Sequence, residues 1–211
     1  MSEGTATGTQ EFWEGFYQDR DQIWTGKPNP LLVREAAELE PGTALDLGCG
    51  EGADAVWLAA RGWRVTAVDV SVTALRRAAA HADEAGVGER ITFAEHDLAQ
   101  SFPDGEFDLV SAQFFHSPVA QDDERTKVLR RAAEAVGVGG VLLIAGHAGW
   151  PSFIEDRHDV HFPTMDEVLD GLALGADWSV ETKDAVEREI TGPEGQVGLR
   201  TDTVLRVRRL R

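Results

Sequence analysis

A short apolar run, Thr43–Leu47, stops at Gly48-Cys49-Gly50-Glu51-Gly52, and a helical pattern begins at once. In that pattern Ala53, Val56, Trp57 and Ala60 recur at i, i+3, i+4 and i+7, which is one face of a helix. A strand that turns into a helix over alternate glycines constrains the fold more than any other feature of the chain. Glycine permits the tight turn and lets a ligand approach the backbone closely.

The same alternation continues downstream. Gly62 stops the first helix and Trp63–Val70 reads as a second strand ending at Asp69. Ser71 is a candidate N-cap for a helix carrying Val72, Leu75, Ala79 and Ala82, which ends at Gly86 and Gly88. Ile91–Ala94 and Phe107–Ala112 are further strand candidates. Asp122, Asp123 and Glu124 open a helix whose apolar face is Val128, Leu129, Ala132, Ala133 and Val136, with Gly137 as its end. Gly139-Gly140 reads as a turn before a buried strand, Val141–Ala145. Thr164 and Glu167 have the spacing of a capping box before Val168, Leu169 and Leu172. Trp178–Arg188 and Gln196–Arg208 flank the turn Thr191-Gly192-Pro193-Glu194-Gly195 and read as an antiparallel hairpin. Alternating strands and helices imply a parallel sheet covered on both faces, to which the hairpin adds an antiparallel strand. Ligands of such sheets bind at the carboxyl ends of the strands, here just past Leu47, Asp69, the Ile91 strand and the Phe107 strand.

Charge narrows the ligand. The 211 residues carry 20 Lys and Arg against 37 Asp and Glu, a net charge of −17. That balance argues against nucleic acid or an anionic membrane surface, because phosphates must be neutralised by basic side chains. Asp46 before the glycine turn and Glu51 within it would repel a pyrophosphate. They would attract a ligand bearing an ammonium and a sulfonium, which describes S-adenosylmethionine better than a nicotinamide dinucleotide. Asp69, 23 positions after Asp46, can accept from ribose hydroxyls, and Asp97 from an adenine amino group with Leu98 against the ring. Purely structural roles are the alternatives: an ordinary turn for the glycines, a surface aspartate before a helix for Asp69 and an ordinary turn residue for Asp97.

Assembled in order, these blocks resemble the class I S-adenosylmethionine-dependent methyltransferases. The resemblance runs through Ala44–Gly52, Val65–Ser71, His96-Asp97-Leu98, Phe107–Ala112 and Val138–Leu143. It implies a Rossmann-like, doubly wound α/β fold in three layers: seven strands, mostly parallel, with an antiparallel last strand. It also implies cofactor contacts at Asp46, Gly48, Cys49, Gly50, Asp69, Val70, His96, Asp97, Leu98 and Gln113. Phe12-Trp13, Phe16-Tyr17 and Trp24–Pro30 are similar to the N-terminal segment of the small-molecule branch related to tellurite-resistance and thiopurine methyltransferases. There the segment folds over the cofactor, so residues 1–40 are expected to form a helical cap on a domain of residues 41–211.

Methyl transfer is an in-line displacement that needs the nucleophile roughly 3–3.5 Å from the methyl. A thiolate needs little more, whereas a hydroxyl or amine must lose a proton. His116, after the Phe107 strand, is the candidate base, and wall packing is its alternative role. Trp13, Tyr17 and Trp24 are candidate lid residues, although Trp13, Phe16 and Tyr17 also fit one face of a core-packed helix. His158 and His161 with Asp156 and Asp159 form too loose a group for a metal site, and none is expected. Cys49, the lone cysteine, reads as a packing residue. It excludes an internal disulfide and fits a cytoplasmic chain, and the polar N-terminus is unlike a signal peptide. The arginines at 206, 208, 209 and 211 read as a solvated strand face at a sheet edge. A small-molecule acceptor and a monomer or homodimer are expected, with a dinucleotide-dependent oxidoreductase, a non-catalytic cofactor-binding module and a protein-modifying methyltransferase as competing classes.

Overall fold

A computed structural model describes residues 8–155, 160–192 and 194–211. In chain order the elements are α1 (Gly8–Gln18), α2 (Pro30–Ala36), β1 (Thr43–Leu47), α3 (Ala53–Ala60), β2 (Arg64–Asp69), α4 (Val72–Glu84) and β3 (Ile91–Glu95). Then come β4 (Phe107–Gln113), α5 (Glu124–Glu134), β5 (Val136–His147), α6 (Met165–Leu172), β6 (Trp178–Thr191) and β7 (Val197–Arg209). The strands form one seven-stranded sheet in the order β3-β2-β1-β4-β5-β7-β6. β1 to β5 pair in parallel, and β7 runs antiparallel to both β5 and β6. Chain order reverses between β1 and β4, so their carboxyl ends frame the crevice where such sheets take ligands.

Side-chain alternation along the strands divides the core into two layers. On one face Leu45, Leu47, Val110 and Ile144 pack with Val128, Leu129 and Ala132 of α5 and Leu172 of α6. On the other face Ala44, Ala67, Leu109 and Leu143 pack with Leu31, Leu32 and Ala36 of α2, Leu58 and Ala59 of α3, and Ala82 of α4. This is the three-layer α/β/α arrangement. The two segments of the N-terminal forty residues behave differently: α2 is part of this core, whereas α1 lies against α4.

Local expectations hold at the caps and shift elsewhere. Ser71 accepts from the Ala74 amide, and Thr164 with Glu167 forms the reciprocal capping box. On α4, however, Val72 is exposed and the buried positions are Thr73, Ala74, Leu75, Ala78 and Ala82, because the helix presents its small residues to α3 and the glycine turn. Val136 does not belong to α5, which ends at Glu134 with Ala135 as its C-cap. It opens β5 opposite Phe107, and the register then shifts before Leu109 pairs with Val141. Gly139-Gly140 lies inside this irregular strand, where a Cβ on Gly140 would sit 2.8 Å from the Phe107 carbonyl. The C-terminal arginines are not a solvated sheet edge. β7 lies inside the sheet, and Arg206 pairs with Glu35 and Glu181, Arg208 with Glu181, Arg209 with Glu106 and Arg211 with Asp177.

Candidate functional site

The carboxyl ends of β1 to β5 open into one cavity of about 520 Å³, roofed by the N-terminal segment. The glycine turn makes its floor. Gly48, Gly50 and Gly52 all have positive φ (68°, 54° and 84°), the left-handed region that glycine enters without steric cost. Space demands glycine as well: a Cβ on Gly52 would lie 2.7 Å from Ala78 Cβ, and one on Gly50 would lie 2.9 Å from the Tyr17 hydroxyl. The turn is tied to the next strand, because Asp69 Oδ2 accepts from the Gly50 amide (2.9 Å) and Oδ1 from the Ser71 amide (2.9 Å).

Three buried aspartates, Asp46, Asp54 and Asp69, surround this turn. Asp46 Oδ2 is fully shielded from solvent and has no hydrogen-bond partner among the described residues. Burial, then Asp54 and Asp69, pushes its carboxyl well above the ordinary carboxylate range. Burial also raises Asp54, against hydrogen bonds from the amide and side chain of Asn29 at 2.6 and 2.7 Å. Burial raises Asp69, against backbone donors from Ser71, Gly50 and Val70. Burial and the neighbouring Asp69 and Asp46 push the Cys49 thiol up, so it stays protonated and is not a thiolate. A second orphan, Gln113 Oε1, is buried at the end of β4 while its Nε2 donates to Ser111 Oγ (3.1 Å). Buried acceptors without donors are costly, about 1–3 kcal/mol each, and a ligand ammonium would supply what they lack.

Glu51 works differently from the expectation that it would face a cationic ligand. It is buried and paired to Arg77 at 3.0 Å, and it accepts from the amides of Ile23 and Trp24. It therefore holds the cap rather than the ligand. The cap has further latches. Glu14 accepts from Ser71 Oγ, Thr73 Oγ1 and the Thr73 amide at the N-terminus of α4. Arg77 also donates to the Tyr17 carbonyl, and Trp13 Nε1 donates to Ser117 Oγ (3.2 Å). Tyr17 is buried and accepts from Trp24 Nε1 (3.1 Å) directly above Gly50. Trp13, Tyr17 and Trp24 thus share the cavity wall that faces the glycine turn.

The other sequence-predicted positions line the same cavity. Val70, His96, Asp97 and Leu98 stand at the ends of β2 and β3. Asp97 Oδ1 accepts from the Ala99 amide (3.1 Å), and His96 Nδ1 meets Ser101 Oγ (2.8 Å). His116 stands past β4. Burial, then the neighbouring His147, lowers its pKa, so its imidazole is neutral at pH 7. Of the loose histidine and aspartate group, Asp156, His158 and Asp159 lie outside the described residues, and His161 pairs with Glu167 at 3.3 Å. Pro193 of the hairpin turn also lies outside them.

The far wall was not foreseen from sequence. His147, at the end of β5, stacks on Phe114 (4.5 Å between ring centroids) and gives Nδ1 to Asp202 Oδ1 at 2.8 Å. Asp202 is fully buried and also pairs with Arg188 and with Arg200 (3.0 Å). Burial would raise its carboxyl, but His147 and the two arginines hold it below the ordinary range. Phe114 has a positive φ of 52°, a strained backbone at the cavity edge. These groups come from β5, β6, β7 and the residue after β4, and no short motif links them.

Comparison with known proteins fits this arrangement. The family model described as a methyltransferase domain matches residues 44–140, the stretch from β1 to the start of β5. Similarity to methyltransferases thus covers the strands and helices that build the glycine-turn end of the cavity. A methyltransferase of 2-heptyl-1-hydroxyquinolin-4(1H)-one from Mycobacteroides abscessus is 32% identical over 149 residues, 68% of this chain and 64% of the relative. The chain spans smaller shares, 28% and 42%, of two further curated methyltransferases. A solved structure from work on converting a disulfide bond into a thioacetal group during echinomycin biosynthesis superimposes with a TM-score of 0.72. That likeness has 25% identity and covers 95% of this chain and 92% of the other. TehB from Haemophilus influenzae shares the fold, with a TM-score of 0.67 at 17% identity over 95% of this chain and 67% of TehB. The methyl donor of class I methyltransferases is S-adenosylmethionine. The orphaned Asp46 and Gln113 oxygens and the glycine floor fit its cationic methionine end, and they do not fit a pyrophosphate.

Proposed function

We propose that this chain is a methyltransferase that moves the methyl group of S-adenosylmethionine to a sulfur, oxygen or nitrogen atom of a small molecule. The observation that carries the reading is the unpartnered Asp46 carboxylate beneath an aromatic-roofed cavity. In this reading Asp46 and Gln113 hold the ammonium, and the backbone at Gly48, Cys49 and Gly50 lines the methionine portion. Asp69 and Val70 hold the ribose, and His96, Asp97 and Leu98 the adenine. When bound, the donor supplies a methyl carbon already activated by its sulfonium.

The chain's own residues then have three tasks. The α1 helix and the segment through Trp24 act as the cap of the domain, α2 being part of its core, and Trp13, Tyr17 and Trp24 keep water from the sulfonium. The cavity walls hold the acceptor in line with the methyl. His116, neutral at pH 7, takes the proton that an acceptor hydroxyl, thiol or amine loses as its new bond to carbon forms. The acceptor of the M. abscessus relative is a small heteroaromatic molecule, and a small acceptor suits a cavity of this volume. The net charge of −17 argues against nucleic acid as a partner, and the chain is read as a cytoplasmic monomer or homodimer. No helix among the described residues is long and apolar enough to cross a membrane.

A panel of thiol, hydroxyl, amine and carboxylate acceptors, read by release of S-adenosylhomocysteine, tests the reading. Release with at least one class is the expected result. Binding of S-adenosylhomocysteine without release from any class would support a non-catalytic module instead. His116→Ala is expected to depress turnover on the best protonated acceptor, and unchanged turnover would remove His116 from the chemistry.

A further inference from the structure

The two ends of the cavity carry opposite charge. The glycine floor is lined by Asp46, Asp54 and Asp69, whereas the wall past β4 and β5 presents Arg125, Arg188 and Arg200 together with His116 and His147. In a chain with 20 basic against 37 acidic residues, three arginines around one wall need an explanation. Asp202 explains two of them, since it pairs with both Arg188 and Arg200 and holds the C-terminal hairpin together. Arg125 is different. Its Nε donates to the Phe115 carbonyl (2.8 Å), which fixes the guanidinium at the end of β4. Its Nη2 comes within 4.0 Å of where a Cβ on Gly146 would stand, so the fork reaches across to the end of β5. Among the described residues Arg125 makes no ion pair, and burial lowers its pKa. The neighbouring Glu124 turns its Oε2 to the Gln121 amide. A half-buried guanidinium on a cavity wall, with terminal nitrogens that pair with no carboxylate among the described residues, can complete an ion pair with a ligand, and its two parallel N–H groups match a carboxylate.

We propose that the methyl acceptor carries a carboxylate, which docks on the terminal nitrogens of Arg125. This rests on the methyl-transfer reading for the word acceptor, although the anion site itself does not. The carboxylate anchors one end of the acceptor beside His116 and His147, so its nucleophilic atom is held toward Gln113 and the donor. Specificity would then lie in the distance between the acid group and the nucleophile.

The test uses the full chain saturated with S-adenosylhomocysteine and the matched probes benzoate and benzamide, followed by NMR at the Arg125 Nε–H signal and by calorimetry. Benzoate is expected to bind about 10- to 100-fold more tightly than benzamide, the worth of a charge-assisted contact. Arg125→Gln is expected to abolish that preference, and Arg125→Lys, which keeps charge without the planar fork, to retain part of it. Binding of S-adenosylhomocysteine by each variant reports that it is folded. Equal affinity for the two probes, no saturable benzoate binding, or a preference that survives Arg125→Gln overturns the proposal. If benzoate binds but S-adenosylhomocysteine does not, the methyl-transfer reading falls and the anion site stands.

Discussion

Asp46→Asn separates ligand binding from folding, because the two effects should have opposite signs. In the unliganded chain Asp46 is a buried carboxylate with no hydrogen-bond donor, beside Asp54 and Asp69. Its raised pKa means that it favours the unfolded state increasingly as pH climbs past the ordinary carboxylate value of about 3.9. A neutral amide of the same shape removes that penalty. The unliganded variant is therefore expected to be no less stable at pH 7, with a denaturation midpoint equal to or above wild type. The gain should vanish at acid pH, where Asp46 is protonated in both states. Binding should move the other way. A hydrogen bond between a buried carboxylate and an ammonium is worth about 1.5–3 kcal/mol, so S-adenosylhomocysteine affinity should fall about 10- to 150-fold. Urea titration with and without ligand, together with calorimetry, reads both quantities. A variant that loses stability in the absence of ligand, or that keeps full affinity, would refute the assignment of Asp46 to the ligand's cationic end.

Three further outcomes follow from the cap and the turn. Arg77→Met leaves Glu51 buried without its ion pair, which costs about 3–5 kcal/mol. It should free the Tyr17–Trp24 segment, seen as faster proteolysis there and weaker S-adenosylhomocysteine binding, and unchanged cleavage would contradict the latch. Burial would raise Glu14, but hydrogen bonds from Ser71 and Thr73 bring it down to about 2. Its docking contribution is thus complete above the unfolded value near 4.5 and lost as pH falls toward 2. Trp13 and Trp24 fluorescence should report cap release in that window, and Glu14→Gln should remove this acid dependence. Gly52→Ala combines a left-handed φ of 84° with a 2.7 Å approach to Ala78 Cβ. A destabilisation of about 2–5 kcal/mol is expected by denaturant titration, from backbone strain plus overpacking.

The parts of the fold written in local chemistry were legible. The turn from β1 into α3 and the caps at Ser71 and Thr164 depend on neighbours within a few residues, and the structure shows them where the spacing puts them. The α5 to β5 junction was not, because Val136 satisfies a helical period and only tertiary pairing with Phe107 draws it into the sheet. That Asp46, Asp69, His96 and Gln113 would line one cavity was readable because they sit at the ends of successive strands, a position that topology makes predictable. The electrostatics within it were not. Glu51 looked free until Arg77, 26 residues away, was brought beside it. Asp54 drew no notice in the sequence, because its donor, Asn29, lies 25 residues away. The acceptor wall was hidden for the same reason: Asp202 reaches His147 across 55 residues, and Arg125 is conspicuous only by the partner it lacks among its neighbours.

Paired calorimetric titrations of the wild-type chain with S-adenosylhomocysteine and with NADH test the central claim most directly. Saturable, one-to-one binding of S-adenosylhomocysteine and no measurable binding of NADH is the predicted result, because a floor of unpartnered carboxylate selects for a cationic ligand without phosphate. Tight NADH binding with none of S-adenosylhomocysteine would contradict it, and the glycine turn would then belong to a dinucleotide site.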